Sequence, residues 1–148
     1  MIDSQTAPYG AFLLRISLGV MYLAHSIVLK LVMFSLPGTA AFFTSLGLPA
    51  WTAYATFAVE AVGGLALVLG VWSRAVAIAL IPVLLGALWA HSGNGWVFSA
   101  ANGGWEYPLF LLVVSAVVAM LGDGAYALRP TPALADLRSG QSEKLTLA

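Results

Sequence analysis

The 148-residue chain has no cysteine, and only 8% of its residues are charged. The first absence excludes disulfides, thiolate catalysis and cysteine-ligated metal or iron–sulfur centres. The second argues against a water-soluble domain, in which about 25% of residues carry charge. Six basic side chains balance six acidic ones, so the formal net charge is zero and nothing points to a nucleic-acid partner. There is no phosphate-binding glycine loop, no dinucleotide fingerprint and no locally supported Ser/His/Asp order. The opening MIDSQTAPYG lacks a basic region, and no small-residue cleavage site follows the first apolar run. That run is expected to be a retained span and not a signal peptide. No internal repeat is evident.

What fills the chain is apolar: 61% of residues are hydrophobic, and they come in long runs. At ~1.5 Å rise per residue, roughly 20 apolar residues cross the hydrocarbon core. The expected fold is an all-α, integral membrane four-helix bundle with a short interfacial or re-entrant helix between spans one and two. The expected spans are residues 9–31, 51–72, 74–91 and 105–121 within a membrane domain of residues 1–128, followed by a tail of residues 129–148. Thr6 and Pro8 suit a helix start. Residues 32–50 are too broken by Pro37, Gly38, Gly47 and Pro49 to be another span. Phe42, Phe43, Leu46 and Leu48 fit a short helix at the interface, or an ordered loop. Ser73 is placed to cap span three, and Pro82 to kink it.

The middle of WTAYATFAVEAVGGLALVLGVWSR, residues 51–74, holds one carboxylate, Glu60. An acid at that depth costs on the order of 2.5–3.5 kcal/mol on insertion scales, so it should face protein and have a partner. Gly63, Gly64 and Gly70 follow at helical spacing and would let a second helix come close. In span one, Arg15, Gly19, Tyr22, Ser26 and Lys30 share a face at ~100° per residue. Two layers of candidate ligand-binding residues follow from the depths: a buried one (Arg15, Tyr22, Glu60) and an outer one (His25, Lys30, His91, Glu106). Each group also has a plainer role: Arg15 snorkelling to the interface, Glu60 as hydrogen-bonded glue, Lys30 and Glu106 as an interfacial ion pair. Tyr22 and the tryptophans are usually packing and interface anchors. His25 and His91 at unrelated spacing are a weak pattern for metal or haem, so no metal is assigned.

Arg74, Arg129, Arg138 and Lys144, with Arg15, fall on one side of a four-span frame. The positive-inside rule then puts both termini in the cytoplasm. Trp51, Trp96, Trp105 and Tyr107 belong to the outer aromatic belt.

LLRISLGVMYLAHSIVLK in span one, EAVGGLALVLGVWSR in span two, Glu106 opening span four and GDGAYAL closing it occur in that order. Together they resemble the DoxX family of small bacterial membrane proteins, over roughly Leu13 to Leu128. Ser26 stands where the family pattern has glycine after the histidine, and Asp123 where proline is common. The resemblance implies a four-helix membrane bundle and, loosely, redox association. Some relatives are linked to a thiosulfate:quinone oxidoreductase, others to membrane complexes that handle oxidative stress. It implies quinone as the candidate cofactor. The partners are then the lipid bilayer and an oxidoreductase subunit or a second copy of the chain. Three functions remain open: a quinone-binding redox subunit, a proton-linked carrier, and a non-catalytic scaffold.

Overall fold

A computed structural model describes residues 3–132, so the tail expected at residues 129–148 lies outside the described residues from 133 onward. The described chain is all helical: α1 (Ala7–Leu23), a π-wound continuation (Ala24–Met33), α2 (Leu36–Ser45), α3 (Trp51–Leu69), α4 (Ser73–His91) and α5 (Glu106–Leu121). Three helical stretches are long and apolar enough to cross a membrane: Ala7–Met33, Trp51–Leu69 and Ser73–His91. The apolar α5 is shorter, at 16 residues. α1 packs chiefly on α3 and α4 on α5, while α3–α4 and α1–α5 contacts close the four into a bundle. Leu18, Tyr22, Leu67, Ala77, Leu80, Leu84, Leu111, Val114 and Val118 form its core.

The first span is one helix with two windings. Beyond Leu23 the backbone shifts to i→i+5 bonding, and the Phe34 N–H still closes on Leu29 O at 2.9 Å. π winding is rare in proteins and concentrates at functional sites. The segment ends at Ser35, whose φ of 61° and ψ of 155° lie in a region costly for any residue but glycine. Ser35 Oγ accepts the Gly38 N–H at 3.2 Å, and Pro37 occupies the first turn, so the chain restarts at once as α2. The stretch after span one is therefore a helix and not a loop. It packs on α3 and on the π segment, with Thr39 and Ala40 buried.

α1 and α3 meet backbone to backbone. A Cβ on Gly64 would stand 2.9 Å from Gly19 O, and one on Gly19 would stand 2.8 Å from Gly64 O. No side chain fits there. α3 stops where Gly70 turns left-handed (φ 69°) and the Val71 N–H returns to Ala66 O, six residues closing on the first.

One end of the bundle is tied by the residues after α5. Leu128 and Arg129 bond Leu69 and Gly70, the Trp72 N–H bonds Arg129 O, and the Ala125 N–H bonds Pro8 O. Ser73 does not cap α4, because its own N–H is the group needing a partner. Asp123 Oδ1 accepts that N–H at 2.8 Å, and Asp123 Oδ2 accepts the Thr131 N–H at 2.8 Å. Thr131 Oγ1 accepts the Arg74 N–H at 3.3 Å. The N-cap of α4 is thus borrowed from the end of α5, and packed structure runs past residue 128 to Thr131. Burial pushes the Asp123 carboxyl up, but the bonds from Thr131 and Ser73 outweigh it and hold the group below its ordinary 3.8. A depressed carboxyl contributes stability above its unfolded pKa and loses it as pH falls through the folded value. Asp123→Asn is accordingly expected to lower stability by about 1 kcal/mol at pH 7. That gap should close as the pH falls below 3.8, and melting curves at pH 7 and pH 3 check it.

Candidate functional site

Glu60 lies mid-way along α3, on the side turned to span one, and its side chain is 7% exposed. Its partner is Lys30, at 2.6 Å from Nζ to Oε2. The Lys30 side chain is 17% exposed, so the pair has one closed end and one more open end. The Thr39 hydroxyl from α2 lies 3.2 Å from Lys30 O, which places the short helix against the lysine backbone. Lys30 thus pairs with Glu60 and not with Glu106. A uniform α-helical rise would carry Lys30 to the outer end of span one, but the π segment Ala24–Met33 fits more residues into each turn and advances less per residue. Lysine's flexible four-carbon stem covers the remaining distance.

His25 is on the π segment one turn before Lys30. Its Nδ1 lies 2.8 Å from Met21 O, and its ring stacks on Tyr107 at 5.6 Å between centroids. A carbonyl can only accept, so the ring proton belongs on Nδ1 and Nε2 is left as an acceptor. Tyr22 is buried on the same side, and its hydroxyl has no hydrogen-bond partner among the described residues. Ser26 folds its hydroxyl back onto Tyr22 O at 2.8 Å.

The other expected site residues are placed elsewhere. Arg15 is fully buried and does not snorkel. Its guanidinium donates to Leu67 O at 2.6 Å, Val68 O at 3.1 Å and Ala125 O at 3.1 Å. It closes the carbonyl end of α3, where a cation also complements the helix dipole. Gly70 leaves it room, since a Cβ there would meet Nη1 at 2.6 Å. Arg15 therefore belongs to the tied end and not to a layer with Glu60. His91 and Glu106 fasten the loop between α4 and α5. His91 Nδ1 lies 3.1 Å from both Asn102 O and Gly103 O, and Glu106 Oε1 accepts the Phe98 N–H at 3.0 Å. Trp96 and Trp105 pack edge to face beside them at 4.5 Å.

Two shallow grooves open on the surface. One, of about 370 Å³, is lined by Ala58, Val59, Val62, Gly63, Val76, Ala79 and Leu80. The other, of about 470 Å³, lies between the loop and α5, along Trp96, Glu106, Tyr107 and Phe110. Neither is lined by Lys30 or Glu60, and we read both as lipid-facing relief between helices.

The DoxX family profile matches residues 10–93, a region that holds most of α1, all of α2 through α4 and both members of the ion pair. The chain belongs to the DoxX family. It is 30% identical over 121 residues to a Bacillus subtilis (strain 168) protein named "Putative oxidoreductase CatD", covering 82% of this chain and 85% of that one. No solved structure matches it. Two polar residues of this DoxX chain, Ser26 and Asp123, have definite structural roles. Ser26 fills a fully buried position by bonding its own helix backbone. Asp123 supplies the cap that α4 lacks.

Residues that carry this geometry were missed for definite reasons. Asp123 reads in sequence as a plain turn residue, GDG, because its use depends on α5 ending beside α4. Ser115 had a visible signal, as the one polar residue inside LFLLVVSAVVAML. Its importance depends on what faces it across the bundle.

Proposed function

We propose that this DoxX-family chain is a membrane subunit of a quinone-linked oxidoreductase system and holds the polar head of a quinone beside Lys30 and Glu60. The observation that carries the reading is the 2.6 Å ion pair embedded among apolar helices. Ionisable side chains at membrane depth are retained mainly where they serve ligands, ions or protons. Lys30 Nζ, the more open partner, donates a hydrogen bond to a quinone carbonyl. Glu60 and His25 Nε2 are acceptors within the same polar neighbourhood, suited to take a proton from the quinol form. Electrons pass to or from the cofactor of a partner subunit. The relative's oxidoreductase name agrees with this role.

In this reading α5 completes a fourth crossing. Arg15, Arg74 and Arg129 gather at the tied end. The positive-inside rule then puts that end, with the N-terminus and the tail, in the cytoplasm of a bacterial inner membrane.

The test is binding of a short-tailed ubiquinone or menaquinone analogue to the chain in nanodiscs. Saturable binding is expected, weakened tenfold or more, about 1.4 kcal/mol, by Glu60→Gln or Lys30→Met. Absence of saturable binding by the unmodified chain, or equal binding by both variants, overturns the reading.

A further inference from the structure

The loop after α4 gives one apolar groove a charged mouth. The Trp105 N–H bonds Gly95 O and the Glu106 N–H bonds Trp96 O, both at 3.1 Å, and Glu106 Oε1 accepts the Phe98 N–H at 3.0 Å. These bonds hold the Trp96 ring against Trp105 on one side and at the lip of the groove with Glu106 on the other. Trp96 still keeps 52% of its surface exposed. Glu106 Oε2 accepts no hydrogen bond and meets no cation among the described residues. Residues 92–105 contain no lysine or arginine that could supply one.

From that mouth the groove, of about 470 Å³, follows α5 along Leu109, Phe110 and Val113. These lie three, four and seven residues after Glu106, on one helical face. At ~1.5 Å rise per residue the face is ~10 Å long. Phe110 and Val113 are more than half exposed, so hydrocarbon reaches them from the side. The mouth lies at the rim opposite the tied end, among the tryptophans, where headgroups meet a membrane protein. The groove along α3 and α4 differs, because no charged or aromatic residue lines it. Only the groove on α5 joins a carboxylate and an indole to an apolar track, and that is the complement of a cationic head on a hydrocarbon chain.

We propose that this groove binds a phospholipid with a primary ammonium headgroup, phosphatidylethanolamine in chemical class. The ammonium donates a hydrogen bond to Glu106 Oε2 and lies over the Trp96 ring, while an acyl chain follows Leu109, Phe110 and Val113. A charge-assisted bond and a cation–π contact act together on the same head, at a depth where water is thinning. The arrangement also ranks other lipids. A choline head keeps the cation–π contact but has no N–H to give the carboxylate. A glycerol head brings only its phosphate charge toward Glu106 and is repelled. Neither Lys30 nor Glu60 lines the groove, so the assignment stands whether or not the chain binds a quinone.

Native mass spectrometry of the chain tests this, with release from micelles holding equal parts of phosphatidylethanolamine, phosphatidylcholine and phosphatidylglycerol of one acyl composition. A retained phosphatidylethanolamine is expected, favoured over each of the others by about fivefold or more. Glu106→Gln keeps an oxygen for the Phe98 N–H and removes the charge. Trp96→Leu removes the aromatic face and keeps the charge. Each is expected to abolish most of the preference, and a cooperative melt confirms that the variant examined is folded. Equal retention of the three lipids by the unmodified chain overturns the proposal, as does a preference for phosphatidylglycerol. Phosphatidylcholine held as well as phosphatidylethanolamine overturns it by showing that the carboxylate reads no N–H donor. A preference undiminished in a folded variant of either kind overturns it by placing the ammonium elsewhere. No quinone is added, so none of these outcomes depends on quinone binding.

Discussion

Glu60→Leu alone is expected to destabilise the bundle by about 3–5 kcal/mol, and adding Lys30→Met is expected to recover most of that loss. The single variant leaves an ammonium group facing an apolar helix with its counter-charge gone. The side chain is 17% exposed, so it escapes only in part toward the open end. The double variant fills the seam with two apolar side chains of similar length and leaves no charge behind. Buried pairs replaced in this way are often neutral or even favourable to stability. Equilibrium unfolding of the unmodified chain, Glu60→Leu, Lys30→Met and the double variant in one detergent measures the coupling. A Glu60→Leu protein as stable as the double variant would show that the pair is not coupled at all. The double variant has a second use. It should fold and yet fail to bind quinone, which separates the role of the pair in holding the bundle from the role proposed for it toward a ligand.

The second large effect concerns the crossing of α1 and α3. Gly64→Val is expected to cost about 3 kcal/mol, at the upper end of overpacking penalties. The new Cβ would meet Gly19 O at 2.9 Å and Tyr22 Cβ at 3.0 Å. The carbonyl belongs to the backbone, so no rotamer change relieves the contact and the helices must part. Glu60 is one turn before Gly64, so their parting also draws the carboxylate from Lys30. Quinone affinity should fall with stability in this variant. Gly86→Ala is the control. Nothing lies within 4 Å of the Cβ it would add, and it sits in the interior of α4. A gain of up to about 1 kcal/mol is expected there, from helix propensity alone. If the two variants melted together, close backbone approach would not be what packs α1 on α3.

Much of this architecture is legible in the sequence, because a bilayer imposes simple rules. Length and hydropathy mark the apolar runs, and the face Arg15–Gly19–Tyr22–Ser26 is buried as its spacing predicts. Gly64 and Gly19 meet at the tight crossing that small residues suggest. What sequence spacing does not carry is which helix stands beside which, and at what rotation. By depth alone Lys30 falls in the outer layer with Glu106, and its pairing with Glu60 follows from α3 packing on span one. Arg15 looks like a member of the polar layer until the end of α3 is set beside it. The i→i+5 winding after Leu23 has no signature in AHSIVLKLVM, since the same residues would serve an α-helix.

The tied end described above makes the molecule mechanically unequal. Arg15 and Asp123, with the backbone around Gly70 and Arg129, join the extremities of four helices at one rim, whereas loops and the π turn separate them at the other. A push on any one helix there is shared by all four. Any spreading of the helices is therefore expected first at the opposite rim, beside the π turn.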